Sequence, residues 1–149
     1  MPTINSKRIR IAADAALLDA PQDTLTGLTP AFFRGNDLKI EFALFNKGIL
    51  QDVTNIASVT LEIKASDEVF TPPDAGTPPL MTKTVAAVNL NTSLNITNWN
   101  AGTDQHGTLS FSATEANIAA GPQWMSLWAL TTDSPGKVIT IAAGPLRIL

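Results

Sequence analysis

Along residues 32–64 apolar and polar positions alternate with a period of two. Leu38, Ile40, Phe42 and Leu44 alternate with Lys39, Glu41, Ala43 and Phe45, and Val59, Leu61 and Ile63 alternate with Thr60, Glu62 and Lys64. Successive side chains of a strand point to opposite faces, so each run predicts a strand with one buried and one wetted face. Lys39, Glu41, Thr60, Glu62 and Lys64 make up the wetted side. Asn46-Lys47-Gly48 and Asp52-Val53-Thr54-Asn55 supply turn chemistry between the runs. The pattern is that of an antiparallel β-sandwich.

The rest of the chain fits the same frame. Residues 7–11 alternate as a short strand with Arg8 and Arg10 on one face. Two cations there suit an edge strand guarded against unwanted pairing; the sharper reading is a basic patch for phosphate. Residues 12–20 are alanine-rich enough for two helical turns before Pro21. Residues 1–30 therefore read as an amino-terminal arm or a strand plus loop, and residues 31–149 as the sandwich domain. Four prolines in residues 71–79 mark a stiff surface connection. Strands are expected over residues 80–88 and 108–112, separated by a long asparagine-rich loop. Ser112-Ala113-Thr114-Glu115 has the form of a capping box, which opens a helix, and Gly121-Pro122 would end it after a turn or two. A long strand over residues 123–132 turns at Asp133-Ser134-Pro135-Gly136 into a hairpin partner over 137–143. A second turn at Ala143-Gly144-Pro145 leads to a last strand over 146–149. The sum is eight or nine strands with one short helix: an all-β, immunoglobulin-like sandwich.

Composition narrows what such a fold is for. A chain of 149 residues suits one domain, burying roughly 70% of its unfolded surface. Only 15% of residues are charged, so some surface is expected to be sheltered by neighbouring subunits. The net charge of −3 disfavours nucleic acid. No run approaches the roughly 20 apolar residues of a membrane helix. Lys7, Arg8 and Arg10 precede an alanine-rich stretch, but Asp14 and Asp19 interrupt it, so no secretory signal is read and synthesis is expected in the cytoplasm.

Chemistry is sparse. With no cysteine and with His106 the only histidine, neither a zinc site nor a serine triad can be assembled convincingly. No phosphate-binding glycine motif or calcium loop is present. The expectation is no enzyme, no cofactor and no metal. The sequons at Asn91 and Asn95 count for little without a secretory signal.

Three tryptophans remain as candidate ligand or interface residues, alongside Arg8 and Arg10. Trp124 and Trp128 share one face of their strand, with Met125, Leu127 and Ala129 on the other. At four residues' separation their stems lie ~13 Å apart. The preferred reading is core or subunit interface; the alternative is a carbohydrate-binding platform. Trp99, in the polar loop, is the best placed of the three to be exposed.

Phe33-Arg34-Gly35-Asn36-Asp37-Leu38-Lys39-Ile40, then Asn46-Lys47-Gly48-Ile49-Leu50-Gln51-Asp52-Val53-Thr54, then Ala57-Ser58-Val59-Thr60-Leu61-Glu62-Ile63-Lys64 resembles a pattern of tailed-phage virion proteins. It is similar to the amino-terminal module of baseplate upper proteins and related tail-fibre modules. The resemblance covers residues 31–149 in layout and about 33 residues closely. It implies a structural subunit of phage or prophage virions in tail, baseplate, fibre or capsid decoration. Its partners would be other virion proteins and copies of itself, with a trimer favoured and a host surface glycan as a further ligand.

Overall fold

The computed structural model describes residues 7–14, 22–47, 49–50, 54–65, 79–87 and 107–149. Among them nine strands form two sheets. One sheet contains β1 (Lys7–Asp14), β3 (Leu38–Asn46), β4 (Ile49–Leu50) and β7 (Gly107–Phe111). There β1 pairs with one edge of β3, and β4 and β7 share the other. The second sheet has the order β2 (Ala31–Phe32), β9 (Val138–Ile148), β8 (Gly121–Thr131), β5 (Ile56–Lys64), β6 (Met81–Ala86).

The inner faces are the apolar halves of the alternating patterns. Ile9, Ile11, Ile40, Phe42 and Leu109 from the first sheet join Val59, Leu61, Met125, Leu127 and Leu146 from the second in one buried cluster. This is the all-β, two-layer arrangement that period-two alternation predicts.

The strands join differently from the expected scheme in three places. β1 runs parallel to β3 over eight residue pairs, and β2 runs parallel to β9, so both sheets are mixed rather than purely antiparallel. Parallel neighbours need a long crossover, and β1 ends at Asp14 while β3 begins only at Leu38. Ala12 to Asp14, expected as helix, continue β1. Third, the turn expected at Ala143-Gly144-Pro145 is absent, and β9 runs through it as one strand. Pro145 is tolerated because β2 reaches only Arg147 and Ile148, leaving the β9 edge at residue 145 without a strand that needs its missing donor.

The capping box forms, but no helix follows it. The Glu115 backbone amide donates to Ser112 Oγ at 3.2 Å, and the Ser112 amide donates to Glu115 Oε1 at 3.1 Å. The Ala116 amide closes one turn on the Ser112 carbonyl, and the chain then leaves for β8. Ala116 is fully buried and its carbonyl accepts from Gly35, so this turn is pinned against the 33–37 loop. Gly35 itself has φ 78°, a conformation that a side chain would strain.

Lys83 Nζ holds both Glu115 oxygens, at 3.0 and 2.8 Å. Lys83 first, and then the Ser112 amide, hold the Glu115 carboxyl below its ordinary value of 4.5. A carboxyl depressed in the folded state adds stability above the ordinary carboxylate range, and the contribution disappears as pH falls through the folded value. Urea midpoints measured from pH 7 to pH 3 should therefore fall less steeply for Glu115→Gln than for the parent. Parallel curves would mean that the contact contributes nothing.

Candidate functional site

Each sheet also has an outer face, and these carry the polar halves of the alternation. On the four-stranded sheet, Arg8 and Arg10 both converge on Glu41. Arg8 donates from Nε to Oε1 at 2.9 Å and from Nη2 to Oε2 at 3.0 Å, while Arg10 donates from Nε and Nη2 to Oε2 at 2.9 and 2.7 Å. The convergence follows from register, because Arg10 lies directly opposite Glu41 in the β1–β3 ladder. Arg10 and Glu41 are both buried. Asp23 accepts from the Arg10 backbone amide at 3.2 Å, and Thr24 donates to the Arg10 carbonyl, so the turn at residues 23–28 covers the outer edge of β1. The arginines thus serve as counter-charges to a carboxylate from the neighbouring strand.

The outer face of the five-stranded sheet is built differently. Trp124, Ser126 and Trp128 follow one another along β8. Opposite them on β5 stand Lys64, Glu62 and Thr60, and on β9 stand Pro145, Ala143 and Thr140. This gives three rows of three side chains, with Ser126 at the centre. Met125, Leu127 and Ala129 are buried on the opposite, core side, so the tryptophans lie outside the sandwich core. Both are half-buried.

This face is not the wetted surface that alternation predicts. Lys64 and Ser126 are fully buried and Thr60 nearly so. Thr60 pairs its hydroxyl with that of Thr84 at 2.8 Å across β5 and β6. Five other polar atoms here are buried and lack a hydrogen-bond partner: Glu62 Oε2, Trp124 Nε1, Ser126 Oγ, Trp128 Nε1 and Thr140 Oγ1. Each such group costs about 1–3 kcal/mol when left unsatisfied, and native proteins rarely collect several in one place. Two are ring donors, one is a carboxylate acceptor and two are hydroxyls able to do either.

Comparisons with known proteins bear on the whole sandwich. The N-terminal domain of phage TP901-1 ORF48 superposes with a TM-score of 0.52 at 8% sequence identity, covering 95% of this chain and 98% of that one. The two share a fold. A multicopper oxidase matches at a TM-score of only 0.38 with 10% identity, over 98% of this chain and 45% of that one, and carries no weight. No family model and no curated protein matches the sequence.

The candidate residues thus fall on two separate faces. Arg8 and Arg10 lie together on the four-stranded sheet, and Trp124 and Trp128 lie together on the five-stranded one. Trp99, His106 and the two sequons lie outside the described residues. Sequence reasoning missed Glu41 as the partner of the arginines, and Glu62, Ser126 and Thr140 as companions of the tryptophans. The alternation did mark Glu62 and Ser126 as sharing a face with their strand neighbours, but only the β5–β8 register brings them side by side. Among the described residues no group of three or more histidine, cysteine or acidic side chains is arranged to hold a metal ion. No helix among them is long and apolar enough to cross a membrane.

Proposed function

We propose that the protein is a non-enzymatic structural subunit of a tailed-phage or prophage virion, assembling with copies of itself and with other virion proteins. The observation that supports this is the end-to-end likeness of its fold to a phage protein domain of nearly the same extent. The similarity to baseplate and tail-fibre modules in residues 31–149 points the same way and favours a trimer. Exposed apolar side chains fit a surface that neighbouring copies cover. Phe33 is 60% exposed and Leu149 44%, and the two are held together where the Leu149 amide donates to the Phe32 carbonyl.

The test has two arms. Light scattering on the purified protein should give a homo-oligomer at tens of micromolar. Mass spectrometry of particles induced from a strain carrying the gene should find the protein in the virion fraction. A strict monomer that is also absent from purified particles would reject the assignment.

A further inference from the structure

We propose that copies of this chain associate head to tail, the tip of the β8–β9 hairpin of one copy seating on an exposed outer corner of the five-stranded sheet of the next. This rests on the assembly of the protein with copies of itself, proposed above, and names the two surfaces that meet.

The corner lies where β2, β9 and β8 run side by side. Arg147 stands opposite Ala31 on β2 and Pro122 on β8. Phe32, Leu146 and Ile148 turn inward and are buried, so Ala31, Phe33, Pro145, Arg147 and Leu149 stand on the outer side. Of these, Phe33, Pro145, Arg147 and Leu149 are exposed, as are Pro122 and Arg34. The Arg34 amide donates to the Leu149 carbonyl, and the Leu149 amide to the Phe32 carbonyl, which holds the corner together. Neither Arg34 nor Arg147 enters an ion pair or a side-chain hydrogen bond among the described residues. Arginine and aromatic side chains together are the anchors that concentrate at protein interfaces. This corner calls for a partner that brings apolar contact and a carboxylate at once.

The chain supplies that combination at the other end of the same hairpin. Val138 and Ile139, the first residues of β9, are both exposed. Asp133 is exposed in the turn before them. Its carboxylate accepts from the Thr131 hydroxyl at 3.0 Å and meets the exposed Lys137 only at 4.0 Å. Such a surface contact is weak, and it leaves the carboxylate available to an arginine fork that can take both oxygens. Strands of 11 residues put the tip far from the corner, at roughly 30 Å. The two surfaces therefore cannot meet within one molecule, but they can meet between two. Corner-to-corner pairing would bring arginines face to face, and tip-to-tip pairing would do the same with carboxylates. A contact between two different surfaces is heterologous, and it closes into a ring, a trimer among them, where the rotation between copies allows.

The experiment is light scattering and sedimentation on the full chain, with circular dichroism to check the fold of each variant. The parent should be an oligomer. Arg147→Glu and Asp133→Lys should each raise the dissociation constant about tenfold or more, the effect of setting like charges against one another. The double variant restores an opposite pair and should recover association. Asp133→Asn keeps an acceptor for Thr131 and should also weaken association, so it decides should Asp133→Lys fail to fold. The chain has no cysteine. Phe33→Cys combined with Ile139→Cys should therefore give disulfide-linked multimers on oxidation, each bond joining two copies.

Three results would overturn the proposal. One is a parent that is a strict monomer. Another is that Arg147→Glu separates the copies while Asp133→Lys and Asp133→Asn leave them associated, which would put a different surface on the corner. The third is an oligomer that none of these variants alters and that the cysteine pair does not link. That last result would reject the head-to-tail contact and leave self-assembly standing, and the composition of purified particles decides the virion assignment separately.

Discussion

Glu41→Ala is expected to destabilise the protein by about 1.5–3 kcal/mol, the cost of losing hydrogen bonds between charged groups. Glu41 is 5% exposed and takes four hydrogen bonds from Arg8 and Arg10. The two arginines are not equivalent. The Arg8 side chain is 44% exposed and would be rehydrated on losing its partner, whereas that of Arg10 is 3% exposed and would stay in a dry environment. The loss should therefore arise mainly from Arg10. Equilibrium urea unfolding measures it. A loss below about 1 kcal/mol for Glu41→Ala would place the cluster with ordinary surface ion pairs.

Phe42→Ala should cost more, about 3–5 kcal/mol, for a different reason. The side chain is completely buried in the cluster between the two sheets, and its removal leaves a cavity that both layers must bend to fill. Phe33 provides the internal comparison. It is 60% exposed on the single chain, and Phe33→Ala should change stability by less than about 0.5 kcal/mol at protein concentrations low enough to separate the copies. Two phenylalanines nine positions apart would thus differ several-fold in effect. Equal losses would mean that the inner and outer faces of this region are misassigned.

The strands were legible wherever one face alone is apolar. Leu38, Ile40, Phe42 and Leu44 are all in the core, as are Val59, Leu61 and Ile63, and Met125, Leu127 and Ala129. Alternation separated Trp124 and Trp128 from Met125, Leu127 and Ala129 but did not tell which side is inner, and the placement of the tryptophans in the core is corrected by the burial of the other three. Pairing was not. Nothing local to Arg10 indicates that Glu41, 31 residues on, will stand opposite it in a parallel ladder. The same holds for Glu62 and Ser126 across β5 and β8. Turn residues were over-read at Gly144-Pro145, where a glycine and a proline punctuate a sequence without ending a strand. The capping box was read correctly as hydrogen bonding and wrongly as a helix. Its reciprocal bonds satisfy the chain locally, and the buried Ala116 and the Gly35 contact then decide where the chain goes next.

The strand order of the larger sheet sets a timetable for synthesis. β9, the last of the described strands in chain order, lies between β2, one of the earliest, and β8. A nascent chain emerging from a ribosome can pair β5 with β6, but it has no edge to offer β2 until residue 148 has cleared the exit tunnel. The five-stranded sheet must therefore close after translation of this region. Until then the apolar inner sides of β5 and β6 are open to neighbouring chains, the exposure that makes slow, non-local β topologies prone to aggregate.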